Sequence, residues 1–107
     1  MPLPHRKGPP LDGAAVSRLL PSVPAWTAAS GFRIERKFRF PDFKSALAFT
    51  NRVGAIAEAE DHHPELIIAW GFVNVVFTTN SAGGLTENDF AMARKIDALD
   101  AARKETP

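Results

Sequence analysis

Seven consecutive residues, Glu58–Ala59–Glu60–Asp61–His62–His63–Pro64, bring acidic groups and two adjacent imidazoles together at a structural boundary. A helical pattern runs into this stretch from Asp42, and a β-rich pattern leaves it at Glu65. Pro64 lacks a backbone N–H and disfavours the α region for His63, so the helix is expected to end here. Glu58 and His62 are four residues apart, which makes them neighbours on one helix face if the last turn reaches His62. A carboxylate beside an imidazole fixes its tautomer and suits it to proton transfer near neutral pH. The simpler alternative is a helix C-terminus whose histidines favour the negative end of the helix dipole.

The elements that must position these groups can be read from periodicity. Residues 31–40 form a half-buried strand, with Phe32, Ile34, Phe38 and Phe40 alternating with Arg33, Glu35, Lys37 and Arg39. Only Arg36 breaks the apolar face. Residues 25–28 supply a short strand before it, completing a hairpin. Asp42 is a good N-cap, sharpened by Pro41. The helix that follows carries Phe43, Ala46, Leu47, Phe49, Val53, Ile56 and Ala57 on its apolar side. Residues 66–70 and 72–79 read as a second hairpin, with Gly71 in the turn and Val73, Val75 and Phe77 sharing one face. Thr86–Glu87–Asn88–Asp89 has the spacing of a capping box, with Asp in place of the usual Glu or Gln. Met92, Ile96 and Leu99 then mark a last helix. Ahead of all this, Asp12 caps a short helix through Leu20 that Pro21 and Pro24 stop. The prolines of residues 1–10 leave a flexible basic tail, residues 11–102 a single domain, and residues 103–107 a frayed end.

Composition narrows the function classes. The chain has 107 residues, 45% hydrophobic and 23% charged, an ordinary globular balance for one core. A formal net charge of +1 offers no general electrostatic case for nucleic acid or a membrane surface. The absence of cysteine rules out disulfides and thiolate metal sites and is compatible with a reducing compartment. No apolar run approaches a membrane span, and the N-terminus lacks the apolar core of a signal peptide. The simplest expectation is a soluble cytoplasmic protein.

The α-β-β-α-β-β-α order, with His62–His63–Pro64 after the central helix, resembles the pterin-4a-carbinolamine dehydratase family. The likeness rests on Glu58, separated by three residues from His62–His63–Pro64, on Trp70 a few residues on, and on Thr79 with the block Ser81–Ala82–Gly83–Gly84–Leu85–Thr86 leading to Asp89. Phe40–Pro41–Asp42–Phe43 and Ala46–Leu47–Ala48–Phe49 match as well. This resemblance implies an α+β fold, a four-stranded antiparallel sheet with helices on one face, paired into dimers or tetramers. A homodimer is also expected because Ile34, Val73, Val75 and Phe77 exceed what one helical layer covers. The resemblance implies dehydration of 4a-hydroxytetrahydrobiopterin, with His62 and His63 catalytic. Glu58 and Asp89 would orient a histidine or the pterin, and Trp70 would wall the pocket. No metal or redox cofactor is implied.

One position departs from the pattern. The family's third histidine follows the Thr at the end of the last strand, and here that residue is Asn80. Asn can hydrogen-bond a pterin but exchanges no proton near pH 7. Two readings follow. In the favoured one the chain is repurposed as a Rubisco assembly factor that binds the large subunit and is associated with the α-carboxysome, as certain pterin-dehydratase-like proteins are. In the other it is a working dehydratase in tetrahydrobiopterin recycling, with His62 and His63 sufficient.

Overall fold

The computed structural model describes residues 2–4 and 9–105. Helix α1 (Gly13–Leu19) is followed by a 3-10 turn, then by strands β1 (Thr27–Ala29) and β2 (Arg33–Arg39), helix α2 (Phe43–Glu60), strands β3 (Glu65–Ala69) and β4 (Phe72–Phe77), a second 3-10 turn (Asn80–Ala82) and helix α3 (Glu87–Glu105). The sheet is antiparallel throughout, in the order β1-β2-β4-β3. The flexible tail expected over residues 1–10 lies partly outside the described residues, at Met1 and residues 5–8, and so does the end of the frayed stretch at residues 106–107. Among the described residues, no helix is long and apolar enough to cross a membrane.

Local signals place the helices. Asp12 accepts a hydrogen bond from the Ala15 amide at 2.9 Å, and Asp42 one from the Ser45 amide at 2.8 Å, so both expected N-caps form. Hydrogen bonds from the Ser45 side chain and then its amide hold the Asp42 carboxyl below the usual carboxylate range. On α2, Ala46, Phe49, Val53 and Ala57 are buried. Phe43 and Leu47, expected in the same apolar set, remain 45% and 43% exposed, because a single sheet covers a narrower stripe than the sequence offers.

The register sets Ile34 opposite Phe77, Arg36 opposite Val75 and Phe38 opposite Val73 on the face under the helices. Ile34, Val73, Val75 and Phe77 are fully buried within the single chain. The expected excess of apolar residues on that face is therefore absent, and this motive for a dimer falls away. Trp26 and Phe49 pack against Phe38, and Trp26 against Phe77, with ring centroids 4.9–6.1 Å apart.

Arg36, the interruption in the apolar face, holds α3 to the sheet. Its guanidinium donates to Asp97 at 2.7 Å and to Asp100 at 3.2 Å and lies over the Phe38 ring. The Trp26 indole N–H donates to the same Asp97 oxygen at 2.7 Å. A charge under a helix is tolerated because it is paired and hydrogen-bonded. This clamp and the α3 core residues Phe90, Ala93 and Ile96 set where the first turn of α3 lies.

Candidate active site

The end of α2 decides where the two imidazoles point. The helix stops at Glu60, and Asp61 takes a left-handed conformation at φ 53°, ψ 43°. The Asp61 amide donates to the Glu58 carbonyl, and the His62 amide reaches back to the Ala57 carbonyl at 3.1 Å. This Schellman-type closure satisfies the last carbonyls of α2, and Asp is among the few non-glycine residues that tolerate such backbone. Helix termination is thus complete before Pro64, and the expected last turn through His62 does not form.

The consequence is an exchange of carboxylate partners relative to the spacing argument. Glu58 pairs with His63, not His62, through its Oε2 and the imidazole Nε2. Both side chains of that pair are more than half exposed. His62 turns inward instead, and its Nε2 lies 2.7 Å from Oδ1 of Asp89 on α3. Asp89 is fully buried, and the His62 side chain is 11% exposed. The His62 ring stacks on Phe77, with centroids 5.9 Å apart and planes 20° from parallel.

Asp89 does two jobs. Its Oδ2 accepts the Thr86 amide at 2.9 Å, which closes the capping box of α3, and also the Thr79 hydroxyl at 2.8 Å. Thr79 and Thr86 hydroxyls are 2.8 Å apart, and the Asn88 amide donates to Thr86 Oγ1 at 3.3 Å. Donor directions along this chain follow from one fact: a carboxylate only accepts. Thr79 must spend its single proton on Asp89, so Thr86 donates to Thr79. His62 must likewise carry its proton on Nε2, since Asp89 has none to give. Neutral His62 therefore leaves Nδ1 as an acceptor, and Nδ1 has no hydrogen-bond partner among the described residues. Buried chains of this kind, hydrogen-bonded from member to member, hold their groups rigidly.

These groups border a pocket of about 230 Å³ lined by Pro4, Asp61, His62, His63, Thr78, Thr79, Asn80, Ser81 and Asn88. A second depression of about 250 Å³, reaching Arg33 and Glu65, shares His63, Thr78 and Asn80 with it. Of the residues singled out in the sequence, His62, His63 and Asn80 line the pocket, while Asp89 and Glu58 support it through the two histidines. Trp70 does not join them. It sits in the β3–β4 turn, 69% exposed, and is not among the described residues that line this pocket. Thr79, Thr86, Asn88 and Pro4 were not anticipated as site residues. For Thr86 a signal existed, because a capping box commits its first residue to the neighbourhood of Asp89.

A family model for pterin 4 alpha carbinolamine dehydratase matches residues 9–99. The chain belongs to this family. A protein of Chlorobium limicola named "Putative pterin-4-alpha-carbinolamine dehydratase" is 50% identical over 95 residues, covering 86% of this chain and 84% of its own length. A similarly named protein of Gloeobacter violaceus is 47% identical over 96 residues, covering 87% and 83%. Among solved structures, a transcriptional coactivator/pterin dehydratase from Brucella melitensis superposes with a TM-score of 0.78 at 36% identity, covering 84% of this chain and 97% of that one. A pterin dehydratase-like protein identified as a RuBisCO assembly factor in the alpha-carboxysome superposes at 0.60 with 22% identity, over 70% and 88%, a likeness of fold alone. The α-β-β-α-β-β-α order with one helical layer is thus the pterin dehydratase fold.

Proposed function

We propose that this chain dehydrates 4a-hydroxytetrahydrobiopterin to the quinonoid dihydropterin, with His62 at the centre of the chemistry. The observation that carries the reading is the buried chain Thr86–Thr79–Asp89–His62, which commits one imidazole nitrogen and leaves the other available at an open pocket. In the reaction N5 loses its proton, the freed electron pair forms the C4a=N5 bond, and the 4a-hydroxyl takes a proton and leaves as water. Neutral His62 is equipped to accept a proton at Nδ1. Protonated His63, exposed and paired with Glu58, can recharge from solvent and is suited to deliver one. Asn80 lines the same pocket, and in this reading its side-chain amide hydrogen-bonds the pterin. Steady-state rates on the 4a-hydroxytetrahydropterin test this. His62→Ala is expected to lower kcat by about 10²–10⁴-fold. A wild type that neither turns over nor binds a pterin refutes the reading.

Asn80 favours a second reading. With asparagine where the family resemblance places a third histidine, the pocket is one titratable group short, and groups that act as a unit lose far more than their share when one is removed. A chain so altered is suited to a protein-binding role, as a Rubisco assembly factor acting on the large subunit at the carboxysome. In that case co-expression raises the yield of assembled Rubisco, and an unchanged yield with no binding to the large subunit excludes the role. In either role we read the chain as a homodimer or tetramer. Support comes from β3, an edge strand that keeps Ile67 48% exposed. A strictly monomeric mass in light scattering at micromolar concentration overturns this.

A further inference from the structure

The pocket has one wall that the family match does not include. The match to the family model begins at residue 9, yet Pro4 lines the pocket together with His62, His63 and Asn80. Two hydrogen bonds hold the segment there. The Leu3 amide donates to the Glu60 carbonyl at the end of α2, at 3.1 Å. The Asn88 side-chain amide, on the first turn of α3, donates to the Pro4 carbonyl at 2.6 Å. The Leu3 side chain packs against the hydrophobic core. Asn88 is itself only 4% exposed, so this anchor is a built feature of the fold.

Chemistry separates Pro4 from its neighbours in the pocket. Every other lining residue carries a polar side chain: Asp61, two histidines, two threonines, Asn80, Ser81 and Asn88. Pro4 offers an apolar ring with no N–H, and its carbonyl is already occupied by Asn88. A flat heterocycle needs hydrogen-bonding partners around its edge and an apolar contact over one face. The polar residues supply the first, and Pro4 supplies the second. Proline at positions 2 and 4 also lowers the entropy lost in ordering the segment.

We propose that residues 2–4 form a fixed strap across the pocket, with Pro4 as a specificity-determining wall that packs on the face of the bound pterin. The proposal rests on the dehydratase reading above. It is tested by releasing the strap at Leu3, which is not among the residues lining the pocket and whose amide bonds to Glu60 and to neither histidine. Leu3→Asp places a charge against the core, and Leu3→Ala removes most of the packing while sparing the fold if Leu3→Asp proves unstable. Thermal unfolding checks both variants. Biopterin fluorescence gives Kd, and turnover of the 4a-hydroxytetrahydropterin gives KM and kcat. Loss of the apolar Pro4 contact over one face of the pterin is expected to raise Kd and KM by about 3- to 10-fold, with kcat unchanged because the His62–Asp89 geometry is untouched. Unchanged Kd and KM in both variants overturn the strap and leave the dehydratase reading standing. A fall in kcat matching that in kcat/KM also overturns it, since the segment would then be aligning His62. A wild type with no pterin affinity removes the dehydratase reading, and the wall with it.

Discussion

Asp89→Asn is an isosteric change that should invert the His62 tautomer. Oδ2 of Asp89 faces two donors, the Thr86 amide at 2.9 Å and the Thr79 hydroxyl at 2.8 Å. A side-chain NH₂ on that side would confront the backbone N–H of Thr86, which cannot turn away. The amide oxygen must therefore keep the Thr86 side, and the NH₂ faces Nε2 of His62, 2.7 Å from the present Oδ1. Nε2 then has to accept, and the imidazole proton moves to Nδ1. The nitrogen left for the substrate changes from acceptor to donor, so the pocket loses its general base without losing its shape. General-base catalysis is worth about 10²–10⁴-fold, and the equivalent Asp→Asn change in a serine-protease triad costs about 10⁴ for the same reason. Loss of charge assistance in three buried hydrogen bonds should cost about 1–3 kcal/mol of stability, which for a domain of this size lowers Tm by roughly 5–15 °C. Dehydratase rates at neutral pH and the ¹⁵N shifts of His62 read the two effects separately. A folded variant that keeps both its rate and the Nε2–H tautomer refutes the reasoning. Loss of rate with the tautomer retained refutes the assignment of the base to Nδ1.

Three other outcomes are expected. Asn80→His, which restores an imidazole to the pocket lining, should raise dehydratase activity within the roughly 10²–10⁴-fold range of acid–base catalysis; a wild type already at the full rate of its relatives would show that Asn80 limits nothing. Gly84→Ala should destabilise, because a Cβ there would sit 3.0 Å from Cβ and 3.3 Å from Cγ of Pro10; overpacking of this kind costs about 1–3 kcal/mol, and a denaturant midpoint equal to wild type would contradict it. Asp42→Asn preserves a cap but not its titration. The folded-state pKa of Asp42 is depressed, so its extra stabilisation is present above the unfolded value of about 3.9 and disappears as pH falls through the lower folded value. The Tm difference between wild type and Asp42→Asn should accordingly close on acidification, and a difference that grows in acid would be the wrong sign.

Much of the fold was legible in one dimension. The alternation of Ile34 and Phe38 with charged residues, and of Val73, Val75 and Phe77 along β4, reports strands with one face inward, because side chains alternate across a pleated strand. Asp12, Asp42 and the Thr86–Asp89 box mark helix starts, since a cap is a bond within three residues. The family motif named both histidines, Glu58 and Asp89. What lay beyond sequence reading was who meets whom. Spacing paired Glu58 with His62 on a continuing helix, but the left-handed turn at Asp61 ended the helix first and sent the two imidazoles to different carboxylates. The family resemblance implied Trp70 at the pocket, yet the β3–β4 turn carries it into solvent. Thr79 joins Asp89, and Pro4 joins Asn88, only after β4, α3 and the N-terminal segment have been brought together by the core. Local sequence encodes dihedral preference, periodicity and bonds that close within a turn. The partner of a buried polar group on another element depends on how those elements dock, and docking is set by the packing of the whole core, with Arg36 clamping α3 to the sheet so that Asp89 arrives within reach of His62.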